Sequence, residues 1–134
     1  MKSLQVIYSG NLRTSAEHLE TGSIINTDAP KDNQGLGEAF SPTDLLCTSL
    51  ISCILTIMAI SVKKHDTDIK GAKASIQKVM RSQPRMISHI NATIIFPKNY
   101  SDKIKRILEK SIHNCPVHRS LSNEIITNIK LVYK

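Results

Sequence analysis

Tryptophan is absent from this 134-residue chain, and only two Phe and three Tyr are present. A nucleic-acid reader that stacks bases on aromatic rings needs more of them, so that class loses its usual means of recognition. Cysteine is scarce and odd in number: Cys47, Cys53 and Cys115 do not make the even disulfide framework of a small secreted domain. No apolar leader follows Met1, because Lys2, Gln5 and Asn11 interrupt it, so the expected home is cytoplasmic. There, a cysteine pair is more often catalytic than structural. The sequence also lacks a G-x-S-x-G elbow and a P-loop. Gly35-Leu36-Gly37 has neither the third glycine nor the following helix of a dinucleotide site, which removes the usual support for hydrolase and nucleotide readings.

What remains is ordinary globular material. With 40% apolar and 22% charged residues, the composition argues against disorder. The length suits one domain with one core, spanning residues 1–134. Charge is distributed unevenly. Residues 1–60 carry three Lys/Arg against six Asp/Glu, a net of −3, and residues 61–134 carry fifteen against five, a net of +10. Such asymmetry can mark an anionic partner. Here the basic residues are interspersed at strand and helix spacings, which reads as a solvated face, and neither a nucleic-acid nor a membrane partner is expected.

The local patterns give an α+β chain. Leu4–Tyr8, Leu12–Leu19 and Ser23–Thr27 read as strands separated by Ser9-Gly10-Asn11 and Thr21-Gly22 turns. Residues 28–41 read as a long loop, and a connection of that length is often functional. Ser41-Pro42-Thr43-Asp44 opens a helix, with Ser at the cap, Pro at the first position and Asp in place of the usual Glu of a capping box. Leu45 to Val62 carries no charge, so this helix either spans a membrane or lies at the centre of a fold. The interspersed Thr48, Ser49, Ser52, Thr56 and Ser61 favour the centre. Alternation then predicts a hairpin, with Ala72, Ala74 and Ile76 on one arm and Met86, Ile90, Ala92, Ile94 and Phe96 sharing a face of the other. Ser101-Asp102 caps a second helix with a stripe of Ile104, Ile107, Leu108 and Ile112, which Cys115 extends. Pro116 starts a short helix, and Ile125 to Tyr133 alternates as a last strand.

The residues themselves leave the chemistry open. A cysteine within an apolar helix, such as Cys53, is usually an inert small hydrophobe. It also lies beyond the reach of the helix dipole, which fades within a turn. Cys115 would sit at the N-cap of the short helix, where N–H groups favour a thiolate; ordinary packing is the competing reading. His113-x-Cys115-x-x-His118 offers only three ligands, one soft and two imidazole, and matches no usual zinc spacing, so no metal and no cofactor is expected. His18, His65 and His89 read as surface or sheet-edge residues.

The run Ser41-Pro42-Thr43-Asp44-Leu45-Leu46, Cys53 seven residues later and Cys115-Pro116 sixty-two residues beyond together resemble the OsmC/Ohr family. Arg85-x-x-x-His89-Ile90-Asn91 is similar to its OsmC-like, YhfA-type branch. The resemblance implies antiparallel sheets around a long buried central helix, in an intertwined homodimer with active sites at the interface. It also implies thiol peroxidase chemistry on organic hydroperoxides or hydrogen peroxide. In that chemistry Cys53 is the peroxidatic thiolate, Cys115 the resolving thiol, and a dithiol, of lipoyl type in relatives, the reductant. Arg13 is implied as the cation that holds the thiolate, and Asp44 as a second acidic position. The resemblance breaks at Thr43, where peroxidase members carry a Glu bonded to that arginine. The break implies a less activated Cys53, or one tuned to another oxidant or electrophile. The alternative is a non-catalytic dimer of the same fold that binds an apolar ligand or senses redox state.

Overall fold

The computed structural model describes residues 3–134. By packing, the chain forms two compact units, one ending at Leu46 and the other beginning at Cys47.

The first unit is a three-stranded antiparallel meander of β1 (Leu4–Gly10), β2 (Arg13–His18) and β3 (Ser23–Asp28). The first turn follows from backbone freedom: Gly10, Asn11 and Leu12 all have positive φ, reversing the chain within two residues of β1. Register places Arg13 opposite Asp28 and Ala16 opposite both Val6 and Ile25. Leu4, Val6, Tyr8 and Ile25 share one face of the sheet and are exposed within the single chain.

The long segment after β3 is folded back on itself. A single turn of 3-10 helix at Lys31–Asn33 is followed by Gly35, whose backbone lies so close to Ala29 that a Cβ there would meet the Ala29 carbonyl oxygen at 1.7 Å. Only glycine fits. The Gly37 N–H then donates to the Ala29 carbonyl at 3.1 Å, returning the chain toward β3, where Thr27 and Phe40 form an isolated bridge.

Helix α1 (Pro42–Lys63) begins with the expected box, closed in both directions. The Asp44 N–H donates to Ser41 Oγ at 3.1 Å, and the Ser41 N–H donates to Asp44 Oδ2 at 3.0 Å. Its buried residues Cys47, Leu50, Ile51, Ile54, Met58 and Val62 recur at three- and four-residue steps, which is one helical stripe. The opposite side, including Ser52, Thr56, Ala59 and Ile60, is exposed within the chain. Burial is therefore one-sided here, whereas the uncharged run suggested burial all round. By length and composition α1 could also cross a membrane, with a mean hydropathy of 2.3 over its most apolar window.

The second unit continues with β4 (Lys73–Arg81), β5 (Met86–Phe96), α2 (Asp102–His113), α3 (Pro116–Ser120) and β6 (Ile126–Tyr133). β4 and β5 form the expected antiparallel hairpin, but β6 pairs with β5 in parallel. A parallel neighbour requires a crossover, and α2 with α3 supplies it. Ile90, Ala92, Ile94 and Phe96 are buried as predicted, but Ile87 replaces Met86. The cause is a bulge: Val79 faces His89 while Met80 faces Ile87, so Ser88 is extra and the alternation slips by one. Three of the five aromatic residues, Phe96, Tyr100 and Tyr133, gather at the far end of this sheet. Phe96 and Tyr133 stack at 5.0 Å, and Tyr100 meets each edge-on.

Candidate functional site

Helix α2 decides where Cys115 goes. Ser101 Oγ accepts the Ile104 N–H at 3.3 Å, which fixes the start of the helix and the phase of its stripe. Ile104, Leu108 and Ser111 are buried, at steps of four and three, and Cys115 lies four residues further on that line. Ser111 takes the place foreseen for Ile112. Its hydroxyl is satisfied within the helix by donating to the Ile107 carbonyl at 2.8 Å, so burying Ser111 strands no side-chain oxygen of its own.

The chain then turns, and Cys115 caps α3, with Pro116 at the first helical position. Cys115 has no solvent exposure. Its Sγ accepts the His118 backbone N–H at 3.4 Å and donates toward the Leu50 carbonyl of α1 at 3.9 Å. Leu50 lies one turn before Cys53 on the same helix, and Cys53 is close enough to Cys115 to push its thiol up. Cys53 flanks the buried stripe and is half-buried. Two sulfurs sixty-two residues apart in sequence are thus neighbours within one compact unit. No disulfide joins any of the three cysteines.

The expectation that the N-cap position would favour a Cys115 thiolate is not met. Burial pushes the Cys115 thiol above its ordinary value, and Cys53 raises it further. The N–H groups of His118 and Val117 act in the opposite sense without overcoming them. Desolvation penalises the charged form, while two backbone dipoles compensate only in part. As the structure stands, Cys115 is a thiol.

The two histidines near Cys115 do not close around it. His118 Nε2 is hydrogen-bonded to Thr127 Oγ1 at 3.1 Å, and its ring meets that of His113 edge-on at 6.3 Å between centroids. His118 serves Cys115 through its backbone N–H, not its imidazole. No group of three or more metal-ligating side chains occurs among the described residues.

In the first unit, Arg13 is held by two carboxylates. Its Nε donates to Asp28 Oδ1 at 3.4 Å and its Nη2 to Glu38 Oε2 at 2.8 Å. Asp28 is buried, and its other oxygen accepts the Glu38 backbone N–H at 2.8 Å. That N–H bond, together with the guanidinium, holds the Asp28 carboxyl below its ordinary range against the opposing effect of burial. The Arg13 guanidinium is correspondingly raised, first by Asp28 and then by Glu38. Asp28 could have been found from sequence, since closing the β2–β3 hairpin brings it opposite Arg13. Glu38 could not, because only the fold of the glycine-bearing loop brings it there. Asp44, the remaining sequence-predicted residue, closes the cap of α1.

The profile of the OsmC-like protein family matches residues 35–130, a span that runs from the loop before α1 through most of β6. Among solved structures, the chain is similar to a proposed osmotic stress induced and detoxification response protein from Psychrobacter arcticus 273-4. The identity is 45%, over 98% of this chain and 96% of that one, with a TM-score of 0.94. A hypothetical protein from Aquifex aeolicus VF5 shares 17% identity over 100% and 96% of the two chains, with a TM-score of 0.79. An organic hydroperoxide resistance protein, OsmC, from Legionella pneumophila shares 10% identity over 98% of each chain, with a TM-score of 0.77, a likeness of fold alone. No curated protein matches the sequence. The motif order read from the sequence, the α+β fold and these matches agree, and the chain belongs to the OsmC-like protein family.

Proposed function

We propose that this protein is a thiol-dependent peroxidase that reduces organic hydroperoxides or hydrogen peroxide through a Cys53–Cys115 disulfide cycle, in defence against oxidative stress. The observation that carries the proposal is the packing of buried Cys115 against the Leu50 carbonyl, one turn before Cys53 on the same helix. It brings half-buried Cys53 near a buried Cys115 kept as a thiol. In the first step the Cys53 thiolate attacks the distal peroxide oxygen, the O–O bond breaks, and an alcohol or water leaves. Cys53 is then a sulfenic acid. Cys115 condenses with it, forming the S–S bond and releasing water, and a dithiol returns two electrons and two protons.

Family resemblance assigns Arg13 the task of stabilising the Cys53 thiolate. The carboxylates of Asp28 and Glu38 orient its guanidinium, a service the resemblance would have placed at position 43. Asp44 contributes by fixing the start of the helix that bears Cys53. The working unit in this proposal is a cytoplasmic homodimer, which would cover the apolar face of the first sheet and the exposed side of α1.

The test is peroxide consumption with excess dithiol, comparing the wild type with Cys53→Ser, Cys115→Ser and Arg13→Ala. Cys53→Ser should abolish turnover, Cys115→Ser should stop at the sulfenic acid, and Arg13→Ala should slow the first step. Mass spectrometry after one equivalent of hydroperoxide should show the wild type losing two hydrogens. Equal rates in all four proteins would end this reading. A protein that forms no disulfide would instead favour a non-catalytic dimer that binds an apolar ligand.

A further inference from the structure

We infer that the His118 imidazole is a positioning residue for disulfide closure: its bond to Thr127 ties α3 to the sheet and so holds the Cys115 sulfur against α1, on the turn before Cys53. This rests on the proposed disulfide cycle and concerns its second step, in which Cys115 must meet the oxidised Cys53.

Cys115 lies where no regular element holds it. α2 ends at His113, and neither Asn114 nor Cys115 is helical, so the position of the sulfur is set by α3. A helix of five residues has too few internal bonds to stand alone. No side chain of α3 is fully buried, so apolar burial does not fix it either. Two of its side chains tie it to other segments. Arg119 donates to the His113 carbonyl and to Asn114 Oδ1, each at 3.3 Å. Both partners lie on the connection just before α3 and move with it. His118 Nε2 bonds Thr127 Oγ1 at 3.1 Å. Thr127 belongs to β6, where it pairs with Ile90 of β5, and Ile90 has no solvent exposure. Of the two ties, the histidine's alone reaches the sheet.

The same residue touches the sulfur. The His118 backbone N–H donates to Cys115 Sγ at 3.4 Å, and that sulfur meets the Leu50 carbonyl at 3.9 Å. One line of contacts thus runs from β6 through Thr127 and His118 to Cys115 and on to α1. Every contact lies within the second unit, and none depends on which surfaces a second subunit covers. The Thr127 hydroxyl can donate or accept, so the tie persists whether the ring is neutral or charged.

Closure of the disulfide is intramolecular, and its rate follows how well the two groups are aligned. The Cys115 sulfur attacks the Cys53 sulfenic sulfur, the S–O bond breaks, and the hydroxide leaves with the Cys115 proton as water. Without the tie α3 samples other positions, and closure slows roughly three- to tenfold, the worth of one hydrogen bond. The earlier attack of Cys53 on peroxide keeps its rate.

The test uses the full-length chain carrying His118→Leu, which removes the ring nitrogen at similar bulk, or His118→Gln, whose amide nitrogen stands as many bonds from Cβ as Nε2 does. Each reduced protein is mixed with one equivalent of tert-butyl hydroperoxide, quenched at intervals with a sulfenic-acid trap and an alkylating agent, and followed by mass spectrometry. His118→Leu should form the sulfenic acid at the wild-type rate and then close the disulfide more slowly by that factor. His118→Gln should recover most of the closure rate. Thr127→Val removes the same bond from the sheet side and should reproduce the leucine result, so the inference stays testable if His118→Leu does not fold. Independently, glutathione redox buffers titrate the Cys53–Cys115 disulfide without peroxide, and its equilibrium constant should fall by the same factor in both variants. Wild-type closure rates and equilibrium constants in His118→Leu and Thr127→Val would overturn the inference, as would slowing of both steps alike. A wild type that forms the disulfide in glutathione buffer but not with hydroperoxide refutes the peroxidase reading, and the equilibrium constants then decide the role of His118. No disulfide under either condition refutes both.

Discussion

Oxidation should stabilise this protein, and the amount can be worked out from the position of the two cysteines. A Cys53–Cys115 bond closes a loop spanning 115 − 53 = 62 residues. In the chain-entropy account, a loop of that size removes denatured-state freedom amounting to about 4 kcal/mol at 25 °C. The native state gives something back. The Cys115 S–H bond to the Leu50 carbonyl disappears, and the His118 N–H bond to the same sulfur weakens when that sulfur becomes part of a disulfide. Each is a modest contact, together on the order of 1–2 kcal/mol. Cys115 already packs against the turn of α1 that precedes Cys53 in the reduced protein, which favours joining them with little backbone movement. The expected net gain is about 2–3 kcal/mol. With a urea dependence of about 1–2 kcal/mol per molar for a chain of this size, the midpoint should rise by roughly 1–3 M. The assay is equilibrium urea unfolding of protein reduced with excess phosphine and of protein oxidised with one equivalent of hydroperoxide, with Cys115→Ser treated identically as the control. An oxidised midpoint at or below the reduced one, with the disulfide confirmed by mass, would refute the reasoning. It would mean that joining the sulfurs distorts α1 or α3 by more than the loop entropy returns.

Two further outcomes follow from the same geometry. Cys115 is an acid whose folded pKa is raised above its unfolded value. Its thiol form therefore stabilises the reduced protein fully below the ordinary cysteine value of about 8.5, and that contribution fades as pH rises toward and through the raised one. The urea midpoint of reduced wild type should fall above about pH 8.5 more steeply than that of Cys115→Ser; parallel curves would show that Cys115 does not titrate differently on unfolding. Ser41→Ala removes the hydroxyl that accepts the Asp44 N–H at the start of α1 and should cost about 1 kcal/mol. Thermal unfolding measures this, and no change in melting temperature would mean that another group caps the helix.

Much of the architecture was legible because it depends on local chemistry. Ser41-Pro42 and Ser101-Asp102 announced their helices, since a cap is a bond between residues three apart. Alternation found the strands, since successive side chains point to opposite faces. The Ser88 bulge escaped detection because nothing in Met86-Ile87-Ser88 distinguishes a slipped alternation from a regular one. The parallel placement of β6 escaped as well, because its alternation is the same in either direction.

The sequence by itself determined that Cys115 would cap a short helix behind a buried stripe, and that Cys53 would ride on an uncharged one. Those are properties of periodicity and of proline at a first turn. Only the tertiary structure decided that Cys115 packs against the helix bearing Cys53, that Cys115 remains a thiol, and that Arg13 takes its carboxylates from Asp28 and Glu38. Each of those outcomes depends on desolvation or on contacts between segments distant along the chain, and neither quantity can be read from the order of neighbouring residues.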